Sequence, residues 1–230
     1  MCGRFALTST PEELAQRFEL EEVPELKPRY NVAPGQEVTV VRPAEAGRRQ
    51  ARPMRWGLVP AWCDGPGDER ARNLINARAE SAAAKPAFRT AFRQRRCLVP
   101  ANGFYEWTPR GDFRQPYWIS PPGGGLVAFA GLWESWQGDD VALESCAVLT
   151  CEAVGAIREL HPRMPVLLEP EAWREWLAPG LEPEAAEGLL RPRDPGLVHH
   201  PVGIAVNAVS VDDPSCLEPV PEPPRQMPLL

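Results

Sequence analysis

Apolar and polar residues alternate over many short stretches of this 230-residue chain, a period of two that predicts short strands rather than long helices. Strands are expected at residues 2–7, 37–41, 54–58, 97–100, 103–108, 117–120, 126–133, 147–150, 166–168 and 204–209, with 74–78 extended. Helical spacing is confined to brief runs. Thr10-Pro11-Glu12-Glu13 is a helix start, with Thr10 as cap, Pro11 at the first helical position and Glu13 closing a capping box. Leu14, Ala15 and Phe18 give that helix its apolar stripe. Further helices are expected at 79–84, at 86–94 (where Phe88 and Phe92 lie one turn apart), up to Leu160, at 172–177 and at 183–190. The helix before His161-Pro162 must stop there, because a residue preceding proline avoids the helical region. Prolines bound segment 27–35, which reads as an ordered loop or a linker, and 63–68 is a Gly/Pro/Asp loop.

This pattern implies an α+β fold: one domain over residues 2–212 with a curled, mostly antiparallel, barrel-like β-sheet core and several short helices. From residue 213 to 230 the chain turns Pro- and Glu-rich, and a disordered or extended tail is expected.

Composition narrows the functional classes. No stretch reaches the roughly 18 apolar residues of a membrane span, and no signal segment follows Arg4, so a cytoplasmic protein is expected. Six cysteines without a CxxC pair suit neither a disulfide framework nor a structural zinc site. The net charge of −6 hides a segregation. Residues 42–114 hold 15 of the 25 basic side chains and 7 of the 31 acidic ones, a local +8 against −14 for the remainder. Such a basic centre is either a focused anion site or a solvated face.

The candidate chemistry begins at Met1-Cys2-Gly3-Arg4. A small residue at position 2 favours removal of Met1, which would leave Cys2 with an α-amine and a thiol on one residue. A 1,2-aminothiol condenses with an aldehyde to an imine and closes to a thiazolidine, and both groups titrate near neutrality, at about 7.7–8 and about 8.5. Asn76 and Arg78 lie two apart in an extended run and can face one way, asparagine to hold an amine or carbonyl, arginine to hold phosphate. Glu106, within Gly103-Phe104-Tyr105-Glu106-Trp107, is either an edge-strand glutamate in water or a carboxyl in an apolar setting, where a raised pKa suits a general acid or base. Trp107 is a core residue or a platform for a base. His161, pinned by Pro162 and followed by Arg163, has a structural role or serves proton transfer. His199 and His200 have neither spacing nor partner and are read as structural.

Together these blocks resemble one family. Met1-Cys2-Gly3-Arg4-Phe5, Arg29-Tyr30-Asn31-Val32-Ala33-Pro34, Trp56-Gly57-Leu58-Val59-Pro60-Ala61-Trp62, Asn76-Ala77-Arg78-Ala79-Glu80, Arg96 through Trp107 and His161-Pro162-Arg163-Met164-Pro165-Val166 are similar, in order, to the SOS-response-associated peptidase (SRAP) family. Ser81 and Cys151 are small departures, and Val206-Asn207 is a weaker echo. The resemblance implies a DNA-damage protein whose Cys2 bonds covalently to the ring-opened aldehyde of abasic sites in single-stranded DNA. It implies catalytic roles for Asn76 (orienting the amine or sugar oxygen), Glu106 (moving protons) and His161 (opening the sugar and reversing the reaction). Arg78 and Arg163, with Arg4 and Thr150, would hold phosphates, and Trp107 would stack on a base. It implies a monomer that needs no metal or nucleotide cofactor, is nucleoid-associated when on DNA, and leaves replication-associated partners open. Two other readings stay open: an N-terminal-cysteine peptidase or amidohydrolase, and a non-catalytic single-strand binder.

Overall fold

Short strands bury apolar side chains only when neighbouring strands take up their backbone groups. A computed structural model describes residues 2–139, 141–193 and 196–222, with Met1 and the end of the expected tail, 223–230, outside the described residues. The first half of the chain runs β1 (Phe5–Leu7), α1 (Pro11–Phe18), β2 (Arg29–Val32), β3 (Glu37–Pro43), β4 (Arg49–Trp56), β5 (Asn76–Arg78), α2 (Ala79–Ala82), α3 (Arg89–Gln94) and β6 (Arg96–Ala101). It continues with β7 (Gly103–Arg110), β8 (Phe113–Ser120), β9 (Val127–Gln137), β10 (Ala142–Glu152), β11 (Arg163–Pro165), α4 (Pro170–Trp176), α5 (Pro183–Leu189) and β12 (Val198–Pro201).

Two sheets result. The first, in the order β12-β8-β7-β1-β2, is antiparallel throughout. In the second, β10, β4, β3, β6 and β9 pair in sequence and β9 returns to β10, which closes a five-stranded barrel. Strands β5 and β11 add to β10 beyond the ring, and only β4 and β5 run parallel to it. The expected curled, mostly antiparallel core is therefore a small closed barrel beside an open sheet. Closure leaves the ring without an edge.

The two sheets lock together through aromatics. Phe5 of β1 meets Trp56 at 5.1 Å and Phe129 at 6.0 Å, and Phe104 of β7 meets Phe129 at 6.0 Å, all edge-on. Such pairs add about 0.5–1.5 kcal/mol each beyond the area they bury. Gly103 permits the close approach of β7 to β8, since a Cβ there would stand 2.3 Å from the Ile119 carbonyl oxygen. The capping box forms as expected: the Glu13 N–H donates to Thr10 Oγ1 at 3.2 Å and the Thr10 N–H to Glu13 at 2.9 Å. Phe18 then stacks on Trp173 at 4.6 Å.

Several local expectations are corrected. Segment 27–35 contains a strand, β2, because β1 offers it a partner and Asp212 takes the N–H groups of Tyr30 and Asn31. The helix expected up to Leu160 is a 3₁₀ turn, Gly155–Glu159. The strand expected at 166–168 pairs earlier, as β11, with Leu167 contributing one bridge to Phe129. Residues 204–209 hold a 3₁₀ turn, Ile204–Asn207, in place of a strand, and β12 was not foreseen. The tail from 213 is ordered as far as Glu222. Pro214–Leu217 forms a 3₁₀ turn with Cys216 buried, Pro219 bridges Val202, and the Tyr117 hydroxyl donates to Glu222 at 2.7 Å. A proline-rich strip lacks a core of its own, yet it can lie along an existing sheet edge. No helix among the described residues is long and apolar enough to cross a membrane.

Asp212 joins the chain's two ends. Its carboxylate accepts from Arg29 and from the amides of Tyr30 at 2.5 Å and Asn31 at 2.8 Å. Burial alone would raise its pKa, but these donors outweigh burial and hold it below the usual carboxylate range. Stability from this group is therefore present above about pH 3.9 and is lost as pH falls through the depressed native value. Asp212→Ala should lower stability by about 2 kcal/mol, or roughly 4–8 °C in melting temperature at pH 7. The deficit should shrink as the scan is repeated toward pH 3, and a deficit independent of pH would contradict the clamp.

Candidate active site

Strand β10 carries β5 on one side and β11 on the other, with Val148 opposite Asn76, Thr150 opposite Arg78 and Glu152 opposite Arg163. The first sheet brings β1 and β7 to the same place through the pair Phe5–Phe104. Residues far apart in sequence thus converge where the open sheet meets the barrel. Asn76 donates from Nδ2 to the Cys2 carbonyl at 2.7 Å, and its buried Oδ1 has no hydrogen-bond partner among the described residues. An acceptor held in that state suits a donor amine.

Cys2 is fully buried. Its thiol lies 3.8 Å from the Arg4 carbonyl, and burial, followed by the charge of Glu106, pushes its pKa well above the ordinary thiol value. At neutral pH the sulfur is therefore a protonated thiol and needs a base to become a nucleophile. Glu106 is 3 % exposed, so of the two sequence readings the apolar setting holds. Burial pushes its carboxyl up, more than positive neighbours such as His161 draw it down. His161 Nδ1 stands 3.8 Å from Glu106 Oε1. The same nitrogen lies 2.9 Å from the Arg163 carbonyl oxygen and 3.0 Å from the Arg163 amide nitrogen, so the backbone of one residue fixes the ring in either tautomer.

Gly3, Arg4, Glu106, Trp107, Arg114, His161 and Asn207 line an open cleft of about 340 Å³ over this junction. A roomier groove of about 400 Å³ beside Leu7, Leu26 and Val38 holds none of the groups above, so the chemistry selects the smaller space.

The residues expected to grip DNA fall into two sets. Arg78 is exposed and forms no ion pair or hydrogen bond among the described residues. Trp107 is half-buried, its indole N–H held by Asn207 Oδ1 at 2.7 Å, with the Arg4 guanidinium 5.9 Å from its ring. The other three are tied into the protein. Arg4 donates to Asn31 Oδ1, the Val206 carbonyl and the Asn207 carbonyl at 2.7, 2.8 and 3.2 Å. Arg163 makes a two-pronged pair with Glu80 at 2.6 and 2.9 Å and donates to the Thr150 carbonyl at 2.6 Å. That pair holds the Glu80 carboxyl below its ordinary pKa. Thr150 is fully buried and donates toward the Ala77 carbonyl at 3.5 Å.

Sequence reasoning did not single out Arg114 or Asn31. The signal for Arg114 was its place seven residues beyond Trp107 across a Gly111-Asp112 turn, which folds it back beside the tryptophan. Asn31 is fully buried and donates from Nδ2 to the carbonyls of Val206, Ala208 and Val211 while accepting from Arg4.

Comparisons with known proteins bear on the family and the fold. A family model described as "SOS response associated peptidase (SRAP)" matches residues 1–209. Abasic site processing protein YoqW of Bacillus subtilis is 35% identical over 228 residues, covering 95% of this chain and 99% of YoqW. Abasic site processing protein YedK of Escherichia coli is 32% identical over 233 residues, covering 96% and 100%. Abasic site processing protein HMCES of Xenopus tropicalis is 28% identical over 261 residues, covering 94% and 78%. A solved structure from Bacteroides thetaiotaomicron superposes with a TM-score of 0.84 at 22% identity, covering 95% of this chain and all of that one, and so shares the fold.

A carboxyl whose pKa is raised by burial, as that of Glu106 is, costs stability at neutral pH, since the native form binds its proton more tightly than the unfolded chain does. Stability from this group falls as pH rises from the unfolded value, about 4.3, through the raised native one. Glu106→Gln should therefore melt a few degrees higher than the parent at pH 7.5, with the gap closing toward pH 4. A gap that widened in acid would show that the carboxyl is ionised more easily in the fold.

Proposed function

This chain belongs to the SOS response associated peptidase (SRAP) family, and from that premise we propose that it processes abasic sites in single-stranded DNA by covalent capture through Cys2. The observation that carries the proposal is the Asn76–Cys2 hydrogen bond, which holds the start of the chain beside a buried carboxyl of raised pKa. The names of the relatives, abasic site processing proteins from bacteria and vertebrates, support the same substrate.

Removal of Met1 exposes the Cys2 α-amine, with Asn76 Oδ1 as its acceptor. The amine adds to the C1′ aldehyde of the ring-opened sugar to give a carbinolamine. A proton from Glu106 lets the hydroxyl leave as water, and an iminium ion remains. The Cys2 sulfur then bonds to the iminium carbon, the C=N electron pair becomes the nitrogen lone pair, and the thiol's own proton passes to the Glu106 carboxylate. One water is released overall and a thiazolidine is formed. A Glu106 whose proton affinity burial raises serves both halves of this sequence, as the acid in the first and the base in the second. His161, 3.8 Å from Glu106, assists sugar opening and the reverse reaction. Arg78 holds a flanking phosphate and Trp107 stacks on a neighbouring base, while Arg4, Thr150 and Arg163 shape the wall behind them. Hydrolysis of the Met1–Cys2 bond is the peptidase step that fits the family's description.

The test is a denaturing gel with an abasic single-stranded oligonucleotide, paired with intact mass of the protein. The parent protein should lack Met1 and give a shifted band. Cys2→Ala should give none, Cys2→Ser only an imine trapped by borohydride, and Glu106→Gln a rate lower by about 10²-fold. A stable band from Cys2→Ala, or an active protein that retains Met1, would overturn the proposal.

A further inference from the structure

The cations around the site are not equivalent. Arg163 is neutralised by Glu80 through a two-pronged pair. Arg4 directs three hydrogen bonds into the protein, to Asn31, Val206 and Asn207. Arg114 lines the same cleft, is exposed, and has neither an ion pair nor a hydrogen bond among the described residues. Its entire fork of N–H groups is open to a ligand, and the ligand such a fork suits is an anion with paired oxygens.

The register of the β7–β8 hairpin says which anion. Pro109 lies opposite Arg114 and Trp107 opposite Pro116. Cross-strand partners share a face of a sheet, as do alternate residues along a strand, so Arg114 and Trp107 occupy one face as diagonal neighbours, about 7–8 Å apart. Trp107 is held at its indole N–H by Asn207, which leaves a fixed aromatic surface in the cleft wall. A fixed aromatic face with an unpartnered guanidinium one diagonal step away matches the two ends of a single nucleotide, base and phosphate.

We propose that Arg114 binds the backbone phosphate of the nucleotide whose base stacks on Trp107, so that the two residues clamp one nucleotide beside the lesion. The clamp rests on the DNA reading above and adds a specific residue and a specific contact to it. It selects for a strand with an unpaired base at that position, without preference among bases, because every base has a stacking face and every nucleotide the same phosphate.

The experiment is fluorescence anisotropy with a labelled single-stranded oligonucleotide that carries no abasic site, alongside adduct kinetics on the same sequence with one. Arg114→Ala should raise Kd by about 5- to 10-fold and lower the slope of log K against log salt by about 0.7, the value of one single-strand phosphate. It should raise the DNA concentration at half-maximal adduct rate and leave the maximal rate unchanged. Arg114→Lys should keep the salt slope, and Arg114→Ala combined with Trp107→Ala should weaken binding by less than the product of the single effects. As Arg114 is exposed, the melting temperature of each Arg114 variant should match the parent's. An unchanged Kd and salt slope in Arg114→Ala, with the parent's adduct intact, would overturn the clamp. Failure of the parent to form an adduct would overturn the covalent reading instead, while the anisotropy arm would still decide the clamp.

Discussion

A chain terminus ordinarily frays, because its few contacts do not offset the entropy of ordering it. Here the opposite holds, and the fold's chemistry depends on it. The Cys2 carbonyl is held at 2.7 Å by a side chain 74 residues away, and three residues further on Phe5 is sealed between Trp56 and Phe129. A hydrogen bond alone would contribute about 1 kcal/mol, too little to hold a free end. Burial of Phe5 contributes about 1.5–3 kcal/mol more, and β1 is flanked by β2 and β7. The first residues are therefore placed by the core itself. In the proposed reaction, groups carried on a residue so placed gain the advantage of prearranged encounter.

The surrounding polar groups divide their duties along the same boundary. Arg163 shows this within one residue: its backbone pins the His161 ring while its side chain is taken by Glu80 and Thr150. Binding a phosphate with that guanidinium would require competing with a carboxylate at 2.6 Å. A group that anchors catalytic machinery and a group that exchanges ligands need different environments, one saturated and one open. The site contains both, with Arg4 in the cleft wall and Arg163 beside His161 on the anchored side, and Arg114 in the cleft wall on the open side.

The local rules of the chain were readable where the interaction is local. Thr10 and Glu13 lie three residues apart, and their capping box formed as written in the sequence. The alternation through β7 located Glu106 on a strand, but period two cannot say which face a second sheet will cover, so its burial waited on the position of the barrel. Asn76 and Arg78 were readable as a pair on an extended run. What that pair would touch was not, since Cys2 arrives from the other sheet. Three of the errors share a cause: β2, the turn Ile204–Asn207 and the ordered stretch to Glu222 each draw on contacts more than 100 residues distant, such as Asp212 to Arg29, the Val206 carbonyl to Asn31 and Glu222 to Tyr117. The pairing of Arg163 with Glu80, 83 residues away, was hidden for the same reason.

Those distant contacts also explain why a proline-rich ending belongs to the fold. Proline lowers the entropy of the unfolded chain, so an extended strip containing it loses less on docking than a flexible one. The strip from 213 to 222 needs few bonds to stay, and it finds the Val220 amide to Pro201 at 2.9 Å, Glu222 to Tyr117 and a buried Cys216. Just before it, Asp212 and the carbonyls of Val206, Ala208 and Val211 engage Arg29, Tyr30 and Asn31, and Asn31 in turn orients Arg4. The C-terminal segment thus reaches the N-terminal chemistry through two side chains, Asn31 and Arg4. The chemistry proposed for Cys2 needs that residue's neighbours fixed, and the last described stretch of the chain supplies part of the fixing.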